Sequence, residues 1–223
     1  MDERFKRNIG ALTSREQELL NKKKAAIVGC GGLGCYAAEF LARLGLGHFT
    51  LIDGDVFAAS NLNRQLYSHE TNIGRKKALE AKERLLKIRA GLSAEAEDTL
   101  IDDKNAEELL KGHDVIIDAL DNVKTRLIIE KAASSLGIPL IHGAVEEWGA
   151  QVCVVFPGEF ALSMLYSGSH ESKKPSVLSF TPAFCASLQA SEAVKVLLNK
   201  KNILRKKFLT VSLKDNTFNI IDL

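Results

Sequence analysis

The side chains best suited to chemistry lie in a short polar segment of this chain. Asn61, Arg64 and Gln65 stand close together in sequence, and Lys77 follows a little further along. Arginine and lysine cations and side-chain amides hold phosphate oxygens through charge and hydrogen bonds. So many phosphate-binding groups exceed the needs of a hydride-transfer cofactor. They suit a reaction at a triphosphate.

A nucleotide-binding turn precedes this segment. Residues 25–29 read as a strand, and a helix follows from about residue 32. In the turn between them, Gly29, Gly31 and Gly34 form the pattern G-x-G-x-x-G, and Gly32 occupies one of its variable positions. In such a turn, backbone N–H groups and the start of the helix face an anion. Asp53 comes about twenty residues later, where a carboxylate can bind a ribose hydroxyl. The pattern fits a dinucleotide as well as ATP, and a turn that serves packing alone is the remaining alternative.

The pair Arg64 and Lys77 favours ATP over NAD. If a carboxylate attacks the α-phosphorus of ATP and expels pyrophosphate, the nucleophile and its target are both anionic. An arginine and a lysine fixed on the phosphate oxygens in a dry cleft each stabilise the transition state by about 3 kcal/mol.

Magnesium in such a reaction requires an oxygen ligand. Asp121 is the candidate because it follows the apolar strand 113–119, at the edge of the sheet where α/β proteins bind their ligands. The alternative role for Asp121 is the N-cap of the next helix.

Composition and charge exclude several other classes of protein. The chain has 223 residues, of which 46% are hydrophobic, enough for one sizeable core. Its 30 basic and 28 acidic residues give a net charge of +2, so no global field attracts nucleic acid or a membrane surface. No apolar run approaches the roughly 20 residues of a membrane span, and the charged start does not resemble a signal peptide. We therefore expect a cytoplasmic protein with no membrane or nucleic-acid partner.

The cysteines predict a reducing compartment and no zinc. The chain has four, Cys30, Cys35, Cys153 and Cys185. They form no C-x-x-C pair, and their spacing matches no zinc template. We expect each to be a small buried hydrophobic side chain.

Strand and helix patterns alternate along most of the chain. This alternation predicts an α/β fold with a doubly wound, Rossmann-like, mostly parallel sheet. Antiparallel strands are expected at the C-terminus, where residues 208–213 and 217–221 flank a turn. The predicted strands before them are 25–29, 49–53, 92–99, 113–119, 139–144 and 151–156, and the predicted helices are 32–44, 74–89, 105–111 and 124–136.

The remaining segments complete a single predicted domain over 1–223. Residues 1–24 are charged and helix-prone and read as an N-terminal helical arm. Residues 157–180 lack periodicity and predict a long mobile loop. Thr181 and Pro182 predict the N-cap and first residue of a helix that runs to about Leu198.

Five motifs in this order resemble the ThiF/MoeB/HesA family, the bacterial relatives of ubiquitin-activating E1 enzymes. The resemblance runs from Arg4 to the helix that ends near Leu198. It implies ATP-dependent adenylation of the C-terminal glycine carboxylate of a small ubiquitin-like protein, usually a sulfur carrier ending in Gly-Gly, with release of pyrophosphate. The motifs are Gly-Cys-Gly-Gly-Leu-Gly, Ile-Asp-Gly-Asp, Ser-Asn-Leu-Asn-Arg-Gln, the stretch from Gly74 to Lys77, and Asp-Ala-Leu-Asp-Asn.

The resemblance also implies roles for particular residues. Gly31 lines the phosphates, Asp53 binds the ribose, and Asp121 binds magnesium. The triphosphate is held by Asn61, Arg64 and Lys77. Asp55, Gln65 and the other glycines of the turn complete the expected nucleotide site.

An N-terminal arginine adds a second subunit to this expectation. Arg7, in Arg4-Phe5-Lys6-Arg7-Asn8, matches the family position whose arginine reaches the ATP of the partner subunit. The resemblance therefore implies a homodimer in which Arg7 acts in trans. An ordinary surface arginine is the alternative.

Two features depart from the family pattern. Many members have two C-x-x-C pairs that bind zinc, and this chain has neither. Several members also place a reactive cysteine in the loop before the Thr181 helix, whereas residues 157–180 contain none and Cys185 lies beyond them. The sequence thus favours an adenylyltransferase without a covalent cysteine step. Activation of a different carboxylate, on a peptide or a tRNA-bound amino acid, and a nucleotide-binding scaffold without catalysis remain as alternatives.

Overall fold

Eight strands form one sheet in the computed structural model, which describes residues 2–167 and 176–223. Their order across the sheet is β3-β2-β1-β4-β5-β6-β7-β8, with parallel pairing from β3 to β5 and antiparallel pairing from β5 to β8. The predicted mostly parallel sheet with antiparallel C-terminal strands is therefore confirmed. In chain order the strands are β1 (Lys24–Val28), β2 (His48–Ile52), β3 (Ser93–Glu97), β4 (Val115–Asp118), β5 (Leu140–Glu146), β6 (Gly149–Val155), β7 (Lys207–Ser212) and β8 (Thr217–Asp222).

Helices cover both faces of the sheet. Successive side chains of a strand point to opposite faces, so Ile27 of β1 packs into one core and Val28 into the other. Helices α2, α3 and α7 contribute to the first core, and α4, α5 and α6 contribute to the second. The helices in the described residues are α1 (Ser14–Leu20), α2 (Gly32–Leu44), α3 (Lys77–Ile88), α4 (Ala106–Leu110), α5 (Val123–Leu136), α6 (Ala161–Leu165) and α7 (Phe180–Leu197).

The strand order reverses direction between β1 and β4. From β1 the chain moves outward to β2 and β3, and it then returns to place β4 on the other side of β1. The loops that leave β1 and β4 therefore diverge onto opposite faces, which opens a crevice between them at the carboxyl ends of the strands. The glycine turn follows β1, and the turn that carries Asp121 follows β4.

The strand predicted at 151–156 does not continue the parallel alternation. It forms β6, which pairs antiparallel with β5. Only Glu147 and Trp148 separate the two strands, whereas a parallel connection needs a crossover of about a dozen residues or more. The two strands therefore form a hairpin.

The predicted cap at Thr181 is wrong. Helix α7 begins at Phe180, and its N-cap position is Ser179, whose side chain makes no capping bond. The Thr181 hydroxyl instead donates to the carbonyl oxygen of Glu147, at 2.8 Å. The Thr181 side chain, which the local pattern predicts to cap the helix, therefore forms a tertiary hydrogen bond to the β5–β6 hairpin.

Two other boundaries also differ from the predictions. The predicted loop over 157–180 contains helix α6, and residues 168–175 of that loop lie outside the described part of the chain. The helix predicted from about Gly74 begins at Lys77, because Gly74 has a positive φ of 86° and Lys76 is extended and forms a β-bridge with Val56. Within the described residues, no helix combines the length and the apolar character needed to cross a bilayer.

Candidate functional site

A cleft of about 1180 Å³ opens at the carboxyl ends of the central strands. It lies where the strand order reverses, the usual ligand site of an open α/β sheet. Its volume exceeds the range of a typical small-molecule pocket, roughly 300–1,000 Å³, and leaves room for a second reactant beside a nucleotide. The predicted site residues that line it are Gly29, Gly31, Gly32, Asp53, Asp55, Arg64, Gln65, Lys77 and Asp121.

The glycine turn brings the start of α2 to the floor of this cleft. Gly29 has a φ of 95°, and a Cβ there would lie 2.7 Å from the carbonyl oxygen of Ala119. A Cβ on Gly34 would collide with the carbonyl oxygen of Gly29. Gly34 thus serves the close packing of the turn, and it is not among the described residues that line the cleft. Gly31 occupies the N-cap position of α2, where no side chain caps the helix, so the first N–H groups of α2 suit an anion.

Asp53 fixes the turn from the end of β2. Its carboxylate accepts hydrogen bonds from the backbone N–H groups of Cys30, at 2.7 Å, and Asp55, at 2.8 Å. Burial raises the pKa of Asp53 above its usual value, and the nearby Lys77 ammonium opposes that rise. A carboxylate oxygen has lone pairs for more than one donor, so Asp53 can orient the turn and also accept from a ribose hydroxyl.

Lys77 presents a buried positive charge. It is the first residue of α3, its side chain is 8% exposed, and its Nζ lies 2.9 Å from Oδ2 of Asp55. The Asp55 side chain is 64% exposed, so the pair is buried only on the lysine side. An ammonium has three N–H donors, and Asp55 takes one of them in this structure.

Arg64 is a cation that neighbouring backbone and side-chain oxygens hold in place. Its NH1 group donates to the carbonyl oxygen of Ser60 and to Oδ1 of Asn63, both at 2.9 Å, and these bonds orient the guanidinium. Among residues 2–167 and 176–223, no acidic group lies within ion-pair distance of it. The next residue, Gln65, is buried against Gly31, and its Oε1 has no hydrogen-bond partner within the described part of the chain. The guanidinium of Arg64 has N–H donors for phosphate oxygens, whereas Oε1 of Gln65 only accepts and would pair with a hydroxyl or amino group of a ligand.

Asp121 lies on the turn after β4 and lines the same cleft as Arg64 and Lys77. It is exposed. The capping alternative is wrong, because Asn122 is the N-cap of α5 and accepts a hydrogen bond from the Thr125 N–H at 2.9 Å. The described residues contain no group of three or more His, Cys, Asp and Glu side chains suited to a metal. A magnesium ion here would combine the Asp121 carboxylate with phosphate oxygens and water, the ligand set that Mg²⁺ commonly takes at nucleotides.

The structure leaves Asn61 outside the cleft lining. Its side chain is buried, and its Oδ1 accepts a hydrogen bond from the Ala58 N–H at 3.0 Å. This bond closes the turn that presents Arg64, which is a structural role. Binding of a triphosphate by Asn61 stays a prediction.

Arg7 lies far from the cleft of its own chain. It is exposed on a 3-10 turn over Glu3–Asn8. Two contacts anchor this turn. The Arg89 guanidinium lies over the Phe5 ring, 5.6 Å from the ring centroid, and the Asn8 side-chain amide donates a hydrogen bond to the carbonyl oxygen of Leu44, at 3.2 Å. Leu44 ends α2, whereas the glycine turn begins it. A helix of 13 residues separates these two ends by about 20 Å.

The cleft contains residues that the sequence does not single out. Thr99, Leu100 and Ile101 follow β3 and line the cleft beside the end of β2. The rule that ligands bind at the carboxyl ends of parallel strands applies to β3 as well, so this part of the lining was predictable. Arg126 and Tyr166 also line the cleft, but no motif marks them.

Cys185 is unsuited to nucleophilic catalysis. It is fully buried in α7, with its Sγ near the carbonyl oxygens of Ala144, at 3.7 Å, and Gln151, at 3.6 Å. Burial raises the pKa of the Cys185 thiol to about 12, so the thiol stays neutral and poorly nucleophilic near neutral pH.

We therefore expect Cys185→Ala to leave ATP–pyrophosphate exchange nearly unchanged. Exchange measures formation of the acyl-adenylate and its reversal, neither of which uses a buried neutral thiol. Abolished exchange in a variant that keeps the wild-type thermal unfolding midpoint would contradict a mechanism without a covalent cysteine step.

Comparison with known proteins agrees with the motifs and the fold. The sequence model of the ThiF family matches residues 5–223. The SAMP-activating enzyme E1 of Haloferax volcanii is 31% identical over 211 residues, which are 92% of this chain and 78% of that protein. The sulfur carrier protein adenylyltransferase of Thermus thermophilus is 33% identical over 196 residues, 82% of this chain and 72% of that protein. A crystal structure of E. coli MccB with ATP has a TM-score of 0.85 and covers 100% of this chain and 72% of that one, at 21% identity, which supports the fold alone. This chain belongs to the ThiF family.

Proposed function

We propose that this protein is an ATP-dependent adenylyltransferase that activates the C-terminal glycine carboxylate of a small ubiquitin-like sulfur carrier. The observation that carries the proposal is the convergence of two cations on one helix start. Arg64 has no acidic partner within the described residues, Lys77 is buried, and both line the cleft beside the uncapped start of α2. The names of the relatives, an E1-type activating enzyme and a sulfur-carrier adenylyltransferase, support the same reaction here.

The roles of the residues follow from the reaction. A carboxylate oxygen of the carrier attacks the α-phosphorus of ATP, and the bond from that phosphorus to the bridging oxygen of pyrophosphate breaks. Lys77 and Arg64 neutralise the phosphate oxygens so that the two anions can meet, and they stabilise the charge of the transition state. The first N–H groups of α2 hold the phosphates, and Asp53 orients the ribose. No proton transfer is needed, because the nucleophile is already a carboxylate.

Asp121 is the residue that would hold magnesium at the phosphates. It is exposed, lines the cleft and has no capping role. When bound, the metal supplies charge neutralisation on the phosphate oxygens and orients pyrophosphate as the leaving group. Zinc is not part of the proposal, and metal analysis of tag-free protein checks that prediction.

A surface suited to a protein substrate lies at the edge of the sheet. Strand β8 is the last in the order, and its exposed apolar side chains include Phe218, Ile220 and Ile221. An exposed edge strand with apolar side chains is a common site for a partner protein. This surface supports a protein, in preference to a tRNA-bound amino acid, as the source of the carboxylate.

The experiment that tests the proposed function is ATP–pyrophosphate exchange with a purified carrier that ends in Gly-Gly. We expect exchange that depends on the carrier and disappears when its last glycine is removed, because the attacking carboxylate is then misplaced. Exchange supported by a free peptide or an aminoacyl-tRNA, and not by the carrier, would favour the alternative substrate class. No exchange with any carboxylate would favour a nucleotide-binding scaffold.

We predict that the nucleotide is ATP with magnesium and not NAD. Arg64 and Lys77 supply more positive charge than a dinucleotide pyrophosphate requires. In thermal unfolding, ATP with magnesium should raise the midpoint through binding to the folded state, and NAD(H) at equal concentration should leave it unchanged. Stabilisation by NAD(H) alone would contradict the proposed reaction.

We also propose a homodimer in which Arg7 acts in trans. Arg7 lies near the end of α2 opposite its own glycine turn, so a role for it at a nucleotide would require the cleft of a neighbouring copy. The segment 56–79, which carries Arg64 and Lys77, exposes apolar side chains suited to burial against a second copy. They are Val56, Leu62, Leu66, Ile73 and Leu79.

Complementation between two inactive variants tests the action in trans. Arg7→Ala and Lys77→Ala should each lose exchange. In a mixed dimer, the cleft of the Arg7→Ala subunit keeps its own Lys77 and receives Arg7 from its partner. Co-expression in equal amounts should therefore restore roughly a quarter of wild-type exchange, because half of the dimers are mixed and each has one complete cleft. A stable monomer by light scattering that retains full exchange would contradict this arrangement.

A further inference from the structure

Four polar side chains form a network beneath the turn that carries Asp121. Asp118 ends β4, His142 lies on β5, Arg126 lies on α5, and Tyr166 follows α6. His142 Nδ1 lies 2.7 Å from Asp118 Oδ2, and the Tyr166 hydroxyl lies 3.2 Å from His142 Nε2. Arg126 NH1 donates to the Tyr166 hydroxyl at 2.8 Å. Asp118 and His142 are fully buried, where polar groups destabilise the fold unless they are paired.

The hydrogen bonds of the network have one consistent direction. Burial lowers the pKa of His142 below its usual value, which favours the neutral ring, with one N–H, near neutral pH. Because the Asp118 carboxylate only accepts, that N–H is on Nδ1, and Nε2 then accepts from the Tyr166 hydroxyl. The hydroxyl oxygen accepts from Arg126. The Arg126 charge also lies near Asp118, with Nε 3.7 Å from Oδ2.

Two members of the network hold the turn directly. Asp118 Oδ1 accepts a hydrogen bond from the Leu120 N–H at 3.1 Å. Arg126 NH2 donates to the Leu120 carbonyl oxygen at 2.6 Å. Both backbone groups of the residue before Asp121 are thus bonded to the network. Displacement of Arg126 or Asp118 would therefore move the Asp121 carboxylate.

Tyr166 comes from a different part of the chain than the other members. The segment after β6 is docked on α5, where Glu130 accepts from the N–H groups of Leu162, at 2.6 Å, and Ser163, at 2.9 Å. Tyr166 extends from this segment to His142 and Arg126, and it also lines the cleft. It therefore connects the docked segment with the turn after β4.

We propose that Tyr166 is a positioning residue, which orients Asp121 for metal binding through its hydrogen bonds to Arg126 and His142. The inference rests on the proposed function, in which Asp121 binds magnesium. It makes the geometry of the metal site depend on the docking of residues 157–167 on α5.

The test is the gain in nucleotide affinity that magnesium provides. Calorimetric titration with a non-hydrolysable ATP analogue, once with magnesium and once with a chelator, gives two dissociation constants whose ratio is that gain. Tyr166→Phe keeps the ring and removes the hydroxyl. We expect the gain to fall about 5- to 10-fold, the size of one lost hydrogen bond, while the affinity without magnesium stays unchanged.

Tyr36→Phe is the matched control. Tyr36 lies on α2, on the other face of the sheet, and is not among the described residues that line the cleft. The same loss of a hydroxyl there should leave both dissociation constants at their wild-type values.

Asp121→Asn separates failure of this inference from failure of the proposed metal role. If Asp121→Asn loses the gain and Tyr166→Phe keeps it, the positioning role is overturned and the metal role stands. If Asp121→Asn keeps the gain, Asp121 is not the metal ligand and both are overturned. A Tyr166→Phe variant that binds the analogue more weakly to the same extent with and without magnesium has lost general structure, which also overturns the positioning role.

Discussion

Lys77→Ala should lower carrier-dependent ATP–pyrophosphate exchange by about 10²- to 10³-fold, and Arg64→Ala should do the same. Each substitution removes a cation oriented toward the phosphates, and one such group in a preorganised site stabilises the transition state by about 3 kcal/mol. The Lys77 side chain is 8% exposed, so water screens its charge only weakly. Removing it leaves its ion-pair partner Asp55 in contact with water, since that side chain is 64% exposed. The buried Asp53 carboxylate loses the nearby ammonium but keeps its hydrogen bonds from the Cys30 and Asp55 N–H groups. We therefore expect the loss to fall on catalysis and not on folding.

Two neighbouring cations provide matched controls for this prediction. Lys76 precedes Lys77 and pairs with Asp98, and Arg75 pairs with Glu80 and Glu83. Neither is among the described residues that line the cleft. Lys76→Ala and Arg75→Ala should keep exchange near the wild-type rate. A similar loss in the controls, or retained exchange in Lys77→Ala and Arg64→Ala, would contradict an electrostatic role specific to the cleft.

Asp121→Asn should lower exchange by about two orders of magnitude at fixed magnesium. Asparagine keeps the size and the oxygen of aspartate but loses the negative charge that a hard divalent cation prefers. The helix that follows is unaffected, since its cap is Asn122. A change in exchange with an unchanged thermal midpoint therefore reports on the ligand and not on the fold. Exchange assayed across magnesium concentrations measures this effect.

Asp103→Asn is the control for charge alone. Asp103 is exposed on the loop before α4 and is not part of the described cleft lining. Its loss changes the net charge of the protein by the same amount and should leave exchange unchanged. Wild-type exchange in Asp121→Asn at every magnesium concentration would remove Asp121 from the proposed mechanism.

The parallel part of the sheet was predictable because its signals are local. Strands β1 and β4 are buried on both faces, and such strands have the near-continuous apolar sequences that identify them. The bounds of α2 match the prediction, since glycines mark both its ends. The antiparallel orientation of β6 was harder to predict from the sequence. It depends on the length of the connection between β5 and β6 and on which strand β6 pairs with.

The part of the site that was predictable consists of residues fixed by short spacings. The glycine turn, Asp53, Arg64 and Lys77 each lie in a motif, and the rule for carboxyl ends of strands gathers them at one edge. The structure places them around one cleft. The structure shows that Asn61 closes the turn through its Oδ1, a role that the motif alone does not reveal, and binding of the triphosphate by Asn61 stays a prediction.

The sequence by itself thus determined the parallel part of the sheet, the glycine turn and the set of charged residues that meet at its edge, because strand periodicity and motif spacing are local properties of the chain. Only the tertiary structure decided between Asp121 and Asn122 as the cap of α5, since both residues suit an N-cap. It alone gave the bond from Thr181 to the β5–β6 hairpin. It alone also brought Tyr166 to His142, from 24 residues away in sequence, because such contacts depend on how packed elements meet and leave no periodic signal in the chain.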